Sequence, residues 1–345
     1  MIAHYFKYIL NFKNPSGTSR GILTEKETWF IVINHKGTKG IGECGLLRGL
    51  SCDDLPNYEE KLNWACNNIN LGLEVLWNEL LEYPSIQFGL EIAFQSLKSE
   101  NPFLLFPSNF TNHNSKMLIN GLVWMGTEHF MKTQIEQKLQ EGFTCIKLKI
   151  GALDFDVELN LIRFIRSHFS AKEIEIRVDA NGAFLKSNAL EKIKKLAILN
   201  IHSIEQPIAK NQIIEMEALC KATPLPIALD EELIGIFRLE DKEALLVKIK
   251  PQFIILKPSF IGGFKGTLQW ITLAKKHNIN WWITSALESN IGLNAIAQWT
   301  YLTKNPLPQG LGTGGLYTNN FECPLEVYGG FIHYNSNVNW KCDLI

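Results

Sequence analysis

From residue 117 onward this 345-residue chain alternates short β-rich apolar runs with helix-like stretches. Eight runs have strand composition: 117–124, 145–150, 174–180, 202–207, 226–230, 253–258, 280–286 and 308–313. Helical spacing fills stretches between them, such as 128–142, 154–169, 188–199 and 264–278. Repeated strand–helix alternation demands parallel strands with helices outside, and eight strands close a barrel. The expected fold class is α/β, a (β/α)8-type barrel.

Upstream the pattern differs. Residues 4–12 and 27–35 have strand composition, with a turn at 35–38, which points to antiparallel pairing. Residues 58–81 and 86–99 carry apolar side chains at helical spacing. The stretch 101–116 is rich in Pro, Asn and Ser and marks a boundary. The expectation is an N-terminal α+β capping domain over 1–110 and a catalytic barrel over 117–317. The tail, 318–345, holds no further strand–helix unit and is expected to pack back on the capping domain and complete it.

Five of the apolar runs close on a charge: Lys149, Asp179, Glu205, Asp230 and Lys257. Their spacing of about 25–30 residues is that of one strand, one helix and two loops, and barrel active sites lie at the C-terminal ends of the strands. A charge at the end of a buried strand is costly unless it is paired or bound. Three adjacent carboxylates repel one another unless a cation joins them. Hard oxygen ligands suit Mg²⁺, with Mn²⁺ as the alternative. Asp179, Glu205 and Asp230 are therefore the candidate metal ligands; each could instead cap the helix that follows.

Lys147 and Lys149 share a strand face, because residues i and i+2 point the same way. Two neighbouring ammonium groups disfavour each other's charge, so one is expected to have a lowered pKa and to act as a base. Lys257, on the sixth run, faces the second run across a barrel mouth. Further candidates to touch a substrate are Gly263, Ser285, Gly312 and Thr313, in loops after the last three runs. The segment 310–315 matches GxGxxG, but no βαβ unit follows it, so a dinucleotide is not expected. The loop 45–51 is a candidate to close over the mouth.

Bulk properties exclude other classes. Apolar residues make up 46% and net charge is −1, so the chain is foldable and gives no reason to expect nucleic-acid or membrane-surface partners. The seven cysteines are scattered without CxxC spacing, which fits free thiols and a cytoplasmic protein. The first residues are not expected to be a signal peptide. A small-molecule carboxylate is the expected partner, and no feature sets an oligomeric state.

The motifs KLK at 147–149, DAN at 179–181, EQP at 205–207, DE at 230–231 and LKP at 256–258 together resemble the enolase superfamily, in its muconate-lactonizing subgroup. That resemblance implies Mg²⁺ held by Asp179, Glu205 and Asp230, and proton abstraction α to a carboxylate by a lysine. Softer motifs at 43–51, 119–121, 285–293 and 310–317 are similar to those of o-succinylbenzoate synthases of menaquinone biosynthesis. Carried over by position, Lys149 removes the proton and then protonates the departing hydroxyl. Lys257 stabilises charge from the other face. Lys147 touches the carboxylate and lowers the pKa of Lys149. Asn181 and Glu231 support the metal and the lysines. A racemase or epimerase, including one acting on N-succinylamino acids, would use the same lysines. Dipeptide epimerases typically carry Asp-x-Asp where this chain has Gly312-Thr313-Gly314, which counts against a free α-amino group. A cycloisomerase acting on muconate and a non-catalytic binding barrel are the remaining alternatives, and the latter would be expected to have lost a ligand.

Overall fold

The computed structural model describes residues 1–18 and 21–344. It opens with three antiparallel strands, β1 (Ile2–Thr18), β2 (Gly21–His35) and β3 (Thr38–Cys44), in that order across the sheet. The turn between β2 and β3 uses Lys36 and Gly37, both at positive φ, as a tight hairpin requires. Alternation along β2 buries both of its faces. Trp29, Ile31 and Ile33 pack with the following helices, while Phe30 and Val32 pack with Ile41, Phe103 and Phe321.

The expected helix over 58–81 is broken into α1 (Tyr58–Asn67), a 3₁₀ turn (Ile69–Leu71) and α2 (Leu73–Glu79). Gly72, at φ 83°, causes the break, because only glycine adopts that backbone without strain. Next comes α3 (Pro84–Ser96), which lies close on β3. A side chain at Gly42 would sit 1.9 Å from the Gly89 carbonyl oxygen, so the glycines of the GIGEC run allow that approach.

The run 117–124 does not form one strand. Its start joins β4 (Lys116–Leu118), and its end is β5 (Gly121–Val123). Then follow α4 (Glu128–Gln140), β6 (Cys145–Lys149), α5 (Phe155–His168), β7 (Glu175–Asp179), α6 (Ala189–Ala197), β8 (Ser203–Glu205), α7 (Ile213–Ala222), β9 (Ile227–Leu229), α8 (Leu239–Ile249), β10 (Phe253–Leu256), α9 (Pro258–Ile261), α10 (Gly263–Lys276), β11 (Asn280–Ile283) and α11 (Asn290–Leu302). The tail forms a hairpin, β12 (Leu325–Tyr328) and β13 (Phe331–Tyr334), and β13 pairs with β4. Elsewhere in the tail, Trp340 stacks on Phe103 at 4.2 Å.

Strands β5 to β11 form one curled parallel sheet of seven in sequence order. The expected eighth strand, 308–313, shrinks to two bridging residues. Gln309 pairs with Ile119 and Gly310 with Thr284, linking the two edges of the curl. The pairing is short because the Gln309 side chain takes a ladder place itself: its Oε1 accepts the Ile283 N–H at 2.8 Å. No helix among the described residues is long and apolar enough to cross a membrane. The described cysteines are all free.

Candidate active site

The charges that end the strands meet at one end of the curled sheet. Lys149, Asp179 and Glu205 are direct register partners across β6, β7 and β8. Asp230 follows β9 and Lys257 follows β10. Lys147 lies two residues before Lys149 on the same face. Asp179, Glu205 and Asp230 are each at most 2% exposed. These three carboxylates have left water, so each one must be answered locally.

The answers come from lysines. The Lys147 ammonium is 3.0 Å from Asp179 Oδ2 and also pairs with Glu205 Oε2. Lys149 donates to Asp179 Oδ2 at 3.2 Å and to Asn181 Oδ1 at 2.7 Å. Lys257 donates to Asp230 Oδ2. Asn181 in turn donates from Nδ2 to Glu231 Oε1 at 3.0 Å, so Asn181 ties Lys149 to Glu231.

Two turning residues aim these groups. Asn181 and Gln206 hold positive φ of 43° and 38°, uncommon for side-chain-bearing residues and worth tracing to a purpose. Gln206 is fully buried, and its Oε1 accepts the N–H groups of Asp230 and Glu232 at 3.2 and 3.3 Å. Its Nε2 donates to Glu232 Oε2 at 3.0 Å. Gln206 thus fastens the end of β8 to the turn that carries Asp230. The sequence reading noted the EQP motif but gave Gln206 no role.

Charge balance differs from group to group. At Lys147 burial pulls the pKa down, but Asp179 and Glu205 outweigh it and raise it. Lys257 is raised by Asp230, Glu205 and Glu231 against the same desolvation. At Asp179 burial pushes up, and the ammonium groups of Lys147, Lys149 and Lys257 outweigh it and hold it low. Glu205 is pushed well above the usual carboxylate range, first by burial and next by the Asp179 charge. Of the two, Lys147 is therefore not the lysine with a lowered pKa. The carboxylates beside it are stronger than the neighbouring ammonium.

The donor set fits a divalent cation. Three carboxylates stand on successive strand ends, and Glu205 Oε1 is buried without a hydrogen-bond partner. Glu205 Oε2 is taken up by the ion pair with Lys147. As they stand, no three metal-ligating side chains among the described residues converge on one point, and ammonium groups hold the carboxylates instead.

A pocket opens beside this cluster. Lys147, Lys149, Asp179, Asn181 and Lys257 form its charged side. Its apolar lining comes from Leu23, Leu47 and Leu50 of the N-terminal region with Leu122, Trp124 and Phe260. Leu47 and Leu50 belong to the loop expected to close the mouth. Leu23, on the β1–β2 hairpin, escaped the sequence reading, since nothing in a strand pattern says which opening a hairpin overhangs. Asn120, in the 119–121 motif, also lines the pocket, and its Oδ1 is buried without a partner.

Ser285, Gly312 and Thr313 line the pocket, and Gly263 does not. The Ser285 hydroxyl donates to Glu288 Oε2 at 2.6 Å and accepts from Thr313 Oγ1 at 2.9 Å and from Leu287 N–H at 3.0 Å. With its one proton and both lone pairs engaged, Ser285 braces the loop. Gly263 sits where α10 meets α3. A side chain there would come 2.2 Å from Glu91 Oε2, so its glycine serves helix packing instead of ligand approach.

Residues 131–337 match the family described as enolase C-terminal domain-like. An o-succinylbenzoate synthase from Desulfotalea psychrophila is 45% identical over 95% of this chain and 97% of its own length. The chain belongs to the enolase superfamily. Among solved structures of the superfamily, MenC from Desulfotalea psychrophila superposes with a TM-score of 0.86 at 42% identity, covering 96% of this chain and 99% of that one. A dipeptide epimerase from Cytophaga hutchinsonii, solved with Mg and the dipeptide D-Ala-L-Val, superposes with a TM-score of 0.83 at 21% identity, covering 100% and 97%. That likeness extends to the fold alone.

Proposed function

We propose that this protein is an o-succinylbenzoate synthase, a lyase that removes the proton α to a carboxylate and eliminates water from the same face. The substrate is a cyclohexadiene carboxylate bearing a hydroxyl and a succinyl group, and the product feeds menaquinone biosynthesis. We read the curled sheet with its Gln309–Gly310 link as a (β/α)8-type barrel over 117–317. Residues 1–110 with 318–345 form its capping domain. The observation that carries the reading is the side-by-side array of Lys149, three buried carboxylates and Lys257 at the strand ends, with Lys149, Asp179 and Lys257 lining one pocket. The 45% identical relative supports the choice of reaction.

Asp179, Glu205 and Asp230 would hold Mg²⁺ or Mn²⁺, which when bound supplies Lewis-acid stabilisation to negative charge on the substrate carboxylate. Lys149 takes the α-proton as its Cα–H bond breaks. Asn181 and Asp179 hold the Lys149 Nζ in place for that transfer. The same Nζ then returns a proton to the hydroxyl as the C–O bond breaks, releasing water and an aromatic ring. Lys257, kept protonated by Asp230, sets its positive charge against the opposite face of the developing anion. Lys147 also stays protonated and acts through charge, not as a base. Aromatisation makes the second half downhill, so loose apolar contacts from Leu23, Leu47 and Leu50 suffice to hold the ring.

The test is turnover of the cyclohexadiene precursor by purified protein with Mg²⁺, followed by absorbance of the aromatic product. Absence of product sinks the reading. Racemisation of N-succinylamino acids at a comparable kcat/KM would assign the same lysines a second reaction. Neither lysine working alone would explain that outcome, because inversion needs a base on one face and an acid on the other.

A further inference from the structure

Asn120 sits in the link between β4 and β5 and is 5% exposed. Its backbone is fixed on two sides. The N–H donates to the Gln309 carbonyl at 2.9 Å, and a side chain at Gly312 would start 3.7 Å from the Asn120 carbonyl oxygen. The Asn120 side chain lines the pocket, yet its Oδ1 is buried and meets no donor among the described residues. A buried carbonyl oxygen left unpaired costs stability, so its retention needs a cause. Neighbouring donors of the pocket are committed elsewhere: Lys149 donates to Asn181, Lys257 to Asp230 and Thr313 to Ser285.

Asn120 stands on the Lys149 side of the pocket. Strand β5 pairs with β6, with Leu122 opposite Lys147. Asn120 and Trp124 flank Leu122 at two residues and share its face. The Lys149 ammonium lies 6.0 Å from the Trp124 ring centre. Lys257 follows β10, whose neighbours are β9 and β11. In an elimination from one face, the α-proton and the hydroxyl both depart towards Lys149. An unpaired acceptor there calls for a donor. The proposed substrate offers two carboxylates, ionised near neutral pH, the succinyl ketone and the ring hydroxyl. Only the hydroxyl has a proton to give.

We infer that Asn120 is a substrate-binding residue whose Oδ1 accepts the proton of the leaving hydroxyl and so turns that oxygen's lone pairs towards Lys149. Lys149, carrying the α-proton, delivers it to one of those lone pairs. The C–O electron pair leaves with the oxygen, and the pair left at the α-carbon forms the new ring double bond. The released water keeps two protons, the one bonded to Asn120 and the one from Lys149. Asn120 therefore serves the loss of water and not the abstraction of the proton.

This role rests on the o-succinylbenzoate synthase reading. Asn120→Leu removes the acceptor at nearly constant volume and relieves an unpaired buried oxygen, so the fold is expected to hold. With Mg²⁺ and the cyclohexadiene precursor, its kcat should fall about 10–100-fold while KM changes less. In D₂O the parent should return little labelled precursor, because water is lost soon after the proton. In Asn120→Leu abstraction outruns elimination. The α-deuterium in recovered precursor, read by mass spectrometry, should then rise several-fold relative to the product formed. Asn120→Ala makes the same deletion with a smaller side chain and decides the matter if Asn120→Leu does not fold; failure of both to fold overturns the role. Unchanged kcat in a folded variant also overturns it, as does a fall in kcat without added label, which marks general damage to the site. A parent that yields no product sinks the synthase reading itself, and the role of Asn120 with it.

Discussion

Strand β7 carries two buried charges two residues apart, and they live in opposite worlds. Arg177 sits towards the start of the strand and Asp179 at its end, both 1% exposed and on the same interior face. Arg177 is answered close at hand. Its Nε donates to Glu175 at 2.7 Å, its Nη1 to the Pro308 carbonyl at 2.9 Å, and its guanidinium lies 4.0 Å over the Trp282 ring. Asp179 instead shares one oxygen between two lysines, beside a carboxylate pushed high by burial and by Asp179 itself. One end of the curled sheet's interior has arranged its charges for a static balance. The other keeps an imbalance that a substrate and a cation can relieve. Excess buried charge marks the site; buried charge alone does not.

The largest effect expected from this contrast is at Lys149. Lys149→Ala should lower kcat on the cyclohexadiene precursor by about 10²–10⁴-fold, the usual share of a positioned acid–base group. Its melting temperature should fall only modestly, because Lys147 still pairs with the Asp179 oxygen that the two lysines share. Near-normal turnover would remove Lys149 from the chemistry and leave the upper charges without a purpose.

Glu205→Gln sharpens the contrast next. Losing this buried, poorly partnered carboxyl should leave metal-free stability equal or higher by about 1 kcal/mol. The rise in melting temperature on adding Mg²⁺ should disappear along with activity. A retained Mg²⁺-dependent rise, read by differential scanning calorimetry, would argue against Glu205 as a ligand.

The lower end should respond in the reverse sense. Arg177→Met is expected to cost about 2–3 kcal/mol of stability, since it leaves Glu175 and the Pro308 carbonyl without their donor. The kcat should stay within about threefold, because Arg177 contributes nothing at the strand ends. A large drop in kcat with unchanged denaturant midpoint would mean that the two ends are not separate regions at all.

Much of this division was legible in the sequence, and the reasons are specific. Lys149, Asp179, Glu205, Asp230 and Lys257 were found because a charge closing an apolar run is improbable unless something needs it. The strand period of two added Lys147. What the period cannot carry is a local exchange of partners. Gln309 replaces a backbone ladder bond with its side chain, so the eighth strand reads well in sequence and is reduced to two bridging residues in space. Gly263 reads as a ligand approach, because a sequence does not reveal that Glu91 lies behind it. The direction of the Lys147 shift is likewise not legible in the sequence. Its sequence neighbour is an ammonium, whereas its spatial neighbours are carboxylates from β7 and β8.

The smallest expected effect isolates burial from compensation. Lys242, on α8, is 1% exposed and has no carboxylate beside it. Its ammonium donates to Gln269 Oε1 at 2.8 Å and lies 5.5 Å from the Trp270 ring centre. Burial therefore lowers its pKa to about 8, whereas Lys147, also buried, is raised by Asp179 and Glu205. The sign of its pH dependence follows from linkage. In the folded protein the proton leaves near pH 8; in the unfolded chain it leaves near the ordinary lysine value of 10.5. Below pH 8 both states are protonated and the folded one carries the full cost of a buried cation. Between 8 and 10.5 the unfolded state binds more protons, so this cost fades as pH rises. Lys242→Met should thus stabilise the protein by about 1–2 kcal/mol at pH 7, where the lost hydrogen bond offsets part of the gain. The advantage should shrink across pH 8 to 10 in urea titrations. A pH-independent difference would mean that Lys242 carries a compensating charge after all, and that lone burial is not what separates it from Lys147.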